Sequence, residues 1–175
     1  MDFIELKNKI GIATKQAFLE MFEKYEKDRI YAFALYSDEG AMTVCPSTNT
    51  VEHLEKQDKS DFSYYKYEPA EWKYEMQGAN KLFSEISTLC RTEVLELEGE
   101  EFEKFQNQLY ETCIEVLEQL KSENFFRQII GEDIVLLFTV TEYEFSKEKR
   151  KEIITRLNDN DYKNEYLDWL ETWRW

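Results

Sequence analysis

Two carboxylates in this sequence have a spacing suited to acid–base chemistry. Glu71 and Glu75 are four residues apart in a segment that Pro69 is well placed to open as a helix. Residues with this spacing share one helix face, and paired carboxylates are typical of general acid–base catalysis. The chain has 37 acidic residues, so a solvated surface pair with Lys73 and Lys81 as partners explains the same pattern. We favour the structural role and keep the pair as a candidate site.

Other catalytic and metal-binding patterns are incomplete. His53 is the only histidine, which excludes histidine-based triads and multi-histidine metal sites. His53 and Glu55 match half of the zinc-deaminase pattern, but its cysteine half is absent, so a partly exposed helical histidine is favoured. The acidic run at 159–161, with Glu165 nearby, lacks the glycine of a calcium loop and is typical of a helix-capping turn. We expect no catalytic residue, no metal and no cofactor.

Aromatic residues are densest between residues 64 and 72. Tyrosine and tryptophan are enriched at interface hot spots, yet they also fill cores when their polar tips find partners, and the core is favoured here. We combine this stretch with the carboxylate pair and an acidic turn into one candidate interaction surface. Its members are Asp38, Glu39, Tyr65, Glu71, Trp72 and Glu75.

The C-terminal sequence WLETWRW is a second aromatic cluster. Trp169, Leu170, Trp173 and Trp175 fall within seven residues, which is more than one buried helical stripe accommodates easily. Part of this segment is therefore expected to cover the edge of the domain or to contact a second copy. A homo-oligomer formed through this Trp-rich helix is one prediction.

The charge balance limits the classes of partner. With 37 acidic and 22 basic residues, the net charge is −15. Such a field repels nucleic-acid phosphates, whose affinity for proteins comes largely from lysine and arginine, and it also repels anionic membranes. We expect no nucleic-acid or membrane partner, and a basic protein is the partner that this charge attracts most easily.

The cysteines indicate the cellular compartment. Cys45, Cys90 and Cys113 are odd in number, widely spaced and surrounded by apolar residues, so we expect buried, reduced thiols. The first ten residues lack the basic and apolar regions of a signal peptide. The longest apolar run, residues 134–138, is too short to span a bilayer. These features predict a cytoplasmic protein.

Apolar periodicity predicts the helices that would position the candidate residues. Asn49 and Glu52 resemble a capping box for a short helix through Lys56, and Pro69 begins a helix that contains Glu71 and Trp72. Longer amphipathic helices are predicted at residues 3–27, 79–97, 100–120, 146–157 and 161–175.

Three segments are predicted to form strands. Residues 30–36 and 41–45 flank a turn in which Gly40 takes the position that needs a positive φ, and Pro46 ends the second strand. Residues 134–141 are apolar on both faces and predict a strand covered on both sides. Residues 62–67 form either a third strand or an ordered aromatic loop. The predicted class is α+β, with a small, mainly antiparallel sheet (hairpin plus a buried strand) covered by several amphipathic helices in one domain, 1–175.

Two sequence blocks carry a family resemblance. YAFALYSDEGAMTVCPSTNT, at residues 31–50, and YYKYEPAEWKYE, at residues 64–75, resemble a bacterial family catalogued as domain of unknown function 4303. The resemblance covers nearly the whole chain. It implies no activity and no catalytic residues, because the family has none agreed.

The class and charge of the chain are also similar to those of immunity proteins in polymorphic toxin systems. We therefore expect a non-catalytic acidic protein-binding domain, with an immunity protein that neutralises a basic toxin domain as the most concrete form. One alternative is an enzyme with a cleft around residues 64–75, lined by Glu71, Trp72, Glu75 and Tyr65. Another is a structural adaptor.

Overall fold

Helices and strands alternate irregularly along the chain. The computed structural model describes residues 1–141 and 145–173. Within these ranges the elements are α1 (Phe3–Tyr25), β1 (Ile30–Asp38), β2 (Cys45–Thr50), α2 (Val51–Leu54), α3 (Phe62–Tyr67), β3 (Tyr74–Glu75), α4 (Asn80–Val94), α5 (Gly99–Ser122), α6 (Phe125–Ile130), β4 (Val135–Thr141), α7 (Lys147–Leu157) and α8 (Asp161–Glu171).

The four described strands form one sheet in the order β3-β2-β1-β4. β2 is antiparallel to β1 and to β3, whereas β4 is parallel to β1, with Ala32 opposite Val135 and Asp38 opposite Thr141. The α+β prediction is confirmed, but the sheet is mixed rather than purely antiparallel. A parallel pair requires a long crossover, and α4, α5 and α6 provide it between β2 and β4.

Helices cover both faces of the sheet because strand side chains alternate in direction. Phe33 and Leu35 of β1 join the core formed with α1, α4, α5 and α6. Ala32 and Ala34 face the second core, which includes residues of α2, α3, α7 and α8. In β4, Leu136 belongs to the first core and Leu137 to the second, so the prediction that residues 134–141 form a strand covered on both sides is confirmed. No helix within the described residues has an apolar segment long enough to cross a membrane.

The predicted hairpin is present with a different second strand. β2 begins at Cys45, where the predicted strand ended, and Pro46 is its second residue instead of its stop. Proline is tolerated near a strand start, and here the Pro46 carbonyl accepts a hydrogen bond from Met76 N–H (2.9 Å). The positive φ belongs to Ala41 (53°), not to Gly40. The turn residues therefore predicted where the chain reverses direction, but not which residues form the second strand of the hairpin.

The aromatic segment differs most from the prediction. Residues 62–67 form the helix α3, not a strand or loop, and the helix expected from Pro69 is only a short 3-10 turn before β3. Tyr67 is buried, with its ring 5.2 Å from Tyr166 and 5.9 Å from Trp169. Contacts with α8 thus contribute to the position of this segment, and they are invisible to local sequence patterns.

Two of the predicted helix starts are confirmed. The Ser146 hydroxyl accepts a hydrogen bond from Lys149 N–H (3.2 Å) at the start of α7. Asn160 caps α8 by accepting from Tyr162 N–H (3.1 Å), which confirms the capping interpretation of the acidic run there. The short helix α6 was not anticipated from the sequence.

The capping box proposed for α2 is shifted by one residue. Thr50, not Asn49, is the N-cap, and its hydroxyl accepts from His53 N–H. Asn49 is buried in β2, where its amide donates to the Tyr31 hydroxyl (3.1 Å). His53 is partly exposed on α2, as predicted.

All three cysteines are free and buried, which confirms their predicted burial. Burial raises the pKa of the Cys90 thiol to about 12, and it raises the pKa of Cys113 well above its usual value. Thiols in this state remain protonated and are poor nucleophiles and metal ligands.

The Asn158 side chain occupies the outer edge of β4. Asn158 is buried; its amide oxygen accepts from Leu136 N–H (3.0 Å) and its amide nitrogen donates to the Leu136 carbonyl (2.8 Å). These are the two bonds that a neighbouring strand would make, so the residue shields an otherwise open edge.

Replacing Asn158 by alanine is expected to lower the free energy of unfolding by about 1–3 kcal/mol, because two buried backbone groups lose their partners. Urea unfolding measures this loss, and amide exchange at Leu136 should become faster. Asn164→Ala, on the exposed face of α8, is the control and should change stability by less than about 0.5 kcal/mol. An unchanged exchange rate at Leu136 would contradict the edge role.

Candidate interaction surface

The acidic turn after β1 is braced against α5. The Asp38 carboxylate accepts hydrogen bonds from Met42 N–H (3.2 Å) and from the Thr43 hydroxyl, so it serves its own turn. The Asp38 carbonyl accepts from the Tyr110 hydroxyl (2.8 Å) and the Glu39 carbonyl from the Gln106 amide (2.6 Å). Of the two predicted residues, only Glu39 presents an exposed carboxylate that the turn itself does not use.

The aromatic stretch is divided between surface and core. Trp72 is 3% exposed and belongs to the second core, which confirms the favoured core interpretation for that residue. Tyr65 is half-buried, and its ring meets that of Tyr64 at a centroid distance of 5.6 Å. Glu71 is exposed and accepts a hydrogen bond from the Tyr64 hydroxyl (3.1 Å). Trp72 is thus unavailable to a partner, whereas Glu71 is available.

Asp38 and Glu75 both lie near enough to the buried Cys45 to influence its thiol. Burial raises the pKa of the Cys45 thiol; hydrogen bonds with Tyr36 and Thr43 oppose the rise, and the charges of Asp38 and Glu75 add to it. Burial likewise raises the pKa of Tyr36, whose ring lies beside Cys45 and Glu75. The fold therefore brings these predicted carboxylates to the end of β1, around a buried thiol and phenol that remain protonated.

Sequence reasoning missed a buried charge pair close to the aromatic stretch. Glu68 and Arg150 are 4.0 Å apart, and their side chains are only 19% and 12% exposed. Burial raises the pKa of Glu68, while the neighbouring Arg150 charge opposes the rise. Arg150 also lies 4.9 Å from the ring of Trp173. No local signal predicts this pair, because its members are 82 residues apart in sequence (150 minus 68).

The Trp-rich tail is partly buried in the described residues. Leu170 is fully buried, and the half-buried Trp169 and Trp173 rings meet at 4.9 Å in a perpendicular arrangement. Trp175 lies outside the described residues. The homo-oligomer proposed through this helix remains a prediction.

A group of carboxylates that the sequence analysis did not combine surrounds the connection between α4 and α5. We call it the acidic corner, and its members are Glu96, Glu98, Glu100, Glu101 and Glu103, all exposed. None of them forms an ion pair with a cation of the described residues. Glu39 lies next to this group, because its carbonyl accepts a hydrogen bond from the side-chain amide of Gln106, which is one helical turn after Glu103. The high density of glutamate around Gly99 is the sequence feature that could have identified the acidic corner.

The residues predicted to line an enzyme cleft are distributed over α3, a 3-10 turn and β3. Five cavities among the described residues are lined by groups other than Tyr65, Glu71, Trp72 and Glu75, and one of them is lined in part by Tyr67 of the same segment. Glu71 lies in the 3-10 turn after α3 and Glu75 belongs to β3, so the two are not on one helix face. Within residues 1–141 and 145–173, no cluster of three histidine, cysteine or acidic side chains is arranged to hold a metal ion.

Comparison with known proteins identifies one family. A family model described as "Domain of unknown function (DUF4303)" matches residues 10–159. No curated protein and no solved structure matches the chain.

Proposed function

From the premise that this chain belongs to the DUF4303 family, whose description assigns no activity, we propose that it is a non-catalytic acidic domain that binds a basic protein. The most concrete form of this function is an immunity protein that neutralises a basic toxin domain. The alternative is a structural adaptor, a function that requires no charge complementarity with a partner.

The acidic corner is the observation that carries the proposal. Its five exposed carboxylates lack cationic partners among the described residues, whereas many other acids of the chain are paired. Glu100 and Glu101 lie in the first turn of α5, where the helix dipole favours negative charge. The carboxylates of the corner thus have no ion-pair partner among the described residues, which suits a partner that supplies lysine and arginine.

The negative charge is expected to raise the association rate with a basic partner as well as the affinity. A net charge of −15 attracts a basic partner over distances comparable to the Debye length, about 8–10 Å at physiological salt. Complementary charge raises association rates by roughly 10- to 1,000-fold, and salt removes the gain. Binding of this kind needs a rigid scaffold with an exposed acidic surface, and it needs no cleft.

The test begins with recovery of a partner from the native host, followed by association-rate measurements at low and high ionic strength. Replacing Glu96, Glu98 and Glu101 by lysine should slow association about tenfold or more at low salt and flatten its salt dependence. Replacing Glu23, Glu132 and Asp168 by lysine is the control, because it changes the net charge equally at exposed sites outside the corner.

The results also separate the alternatives. Equal slowing by both sets of replacements would mean that net charge acts, not the corner. A variant with Glu71 and Glu75 replaced by lysine tests the surface predicted from sequence. Failure to recover any partner, together with small-molecule turnover abolished by Glu71→Gln, would contradict the binding function and support an enzyme.

A further inference from the structure

An apolar groove lies between α1 and α4, on the outer side of the first core. It has a volume of about 580 Å³, and its lining includes Ile12, Leu82 and Leu89. The two helices run antiparallel. At one end the N-terminal amino group of Met1 contacts the Glu93 carboxylate (2.7 Å), and at the other Ala79 N–H donates to the Glu20 carboxylate (2.7 Å). The groove thus runs along a well-anchored helix pair.

Helix α1 carries three exposed apolar residues in addition to its buried face. Its core positions include Leu6 and Ile10, whereas Ile4, Ile12 and Leu19 are 79%, 62% and 47% exposed. Ile12 lines the groove itself, whereas Ile4 and Leu19 lie outside its lining. A single exposed isoleucine needs no explanation, but several exposed apolar residues in and near an apolar groove are typical of a binding surface.

Exposed apolar residues are also present between the groove and the acidic corner. Leu89 of α4 is 43% exposed, and Leu95, directly after α4, is 77% exposed next to Glu96. Ile4 is at the same end, because the Met1–Glu93 contact places the start of α1 beside the end of α4. The surface therefore combines a groove with apolar and some polar lining residues and a strongly acidic end.

We propose that this groove binds an amphipathic α-helix of the partner, with apolar side chains in the groove and lysine or arginine residues on the acidic corner. The inference rests on the proposed function, which supplies the basic character of the partner. A helix fits a groove between two helices because its side chains at three- and four-residue spacing interdigitate with theirs. A second copy of this chain is disfavoured as occupant, since each copy carries a charge of −15.

The dimensions determine the length of the bound helix. Leu82 and Leu95 are separated by 13 residues, which spans about 20 Å along a helix. A partner helix of about 14 residues, or four turns, therefore covers the groove and reaches the corner.

The test uses a synthetic peptide of about 14 residues, acetyl-LKKLLKLLKKLLKL-amide, in which leucine and lysine form opposite helix faces. Isothermal titration with the full chain is expected to show saturable binding. Replacing both Ile12 and Leu89 by glutamine should weaken the affinity about tenfold without changing the net charge. Glutamine is a good helix former, so α1 and α4 should be retained.

Two controls exclude simple attraction between opposite charges. Phe62→Gln removes a partly exposed apolar side chain from α3, which is on the other side of the sheet, and should leave the affinity unchanged. A peptide of the same composition with its amphipathic order scrambled should bind clearly more weakly. Absence of saturable binding, equal affinity of the scrambled peptide, or equal affinity of the Ile12/Leu89 variant would each overturn the groove assignment.

Failure of the groove and failure of the proposed function give different results. If charge reversal at the corner slows association with a recovered basic partner while the Ile12/Leu89 variant binds it normally, the proposed function stands and the groove assignment is wrong. If the peptide binds in the groove but the host contains no basic partner, the groove assignment stands and the proposed function is wrong.

Discussion

Phe18→Ala is expected to lower the free energy of unfolding by about 3–5 kcal/mol, because truncating a buried phenylalanine loses its apolar contacts and leaves a cavity. Phe18 is fully buried, and its ring centroid lies 5.5 Å from Phe33, 5.9 Å from Phe125 and 4.8 Å from Phe126. The side chain thus joins α1 to the sheet and to α6. Urea unfolding followed by circular dichroism measures the loss.

Two comparison variants keep this prediction testable. Phe62→Ala removes the same atoms from a side chain that is 37% exposed, and it should cost clearly less. Phe18→Leu retains most of the buried volume and should remain folded with a smaller loss, even where the alanine variant fails to fold. Equal losses for Phe18→Ala and Phe62→Ala would show that the aromatic cluster does not contribute as the structure indicates.

Gly78→Ala has the second-largest expected effect, a loss of about 2–4 kcal/mol in the free energy of unfolding. Gly78 has a φ of 97°, and an added Cβ would lie 2.8 Å from the carbonyl oxygen and 2.9 Å from the Cα of Ala17. Both the left-handed conformation and the contact with the α1 backbone oppose a side chain. The substitution should therefore push α1 away from the start of α4.

Gly131→Ala separates the two contributions. Gly131 has a similar φ of 91°, but nothing lies within 4 Å of its added Cβ, so only the conformational penalty of about 1–2 kcal/mol is expected. The Glu20 carboxylate gives a local readout. Its hydrogen bond from Ala79 N–H lowers the pKa of Glu20, and Gly78→Ala should return that pKa towards its usual range in an NMR titration. Equal losses at both glycines would contradict the close approach to Ala17.

The sequence by itself determined the elements whose periodicity is long or whose ends carry caps. α1, α4, α5 and α7 lie where apolar spacing and Ser146 predicted them, although α4 ends at Val94 instead of continuing to residue 97. The strand at 134–141 and its cover on both faces also followed from its continuous apolar character. These signals are local, since a helix or strand records its own buried faces in its residue order.

Only the tertiary structure decided the direction of β4, the helical state of residues 62–67 and the composition of the interaction surface. The α4–α6 crossover turns β4 parallel to β1, and packing against α8 accompanies helix formation in a β-rich aromatic segment. Sequence reasoning selected Trp72 and missed Glu96 because burial and the absence of ion-pair partners depend on residues distant in the chain. The groove beside α1 was not anticipated for the same physical reason: which exposed apolar residues lie next to one another depends on how α1 packs against α4.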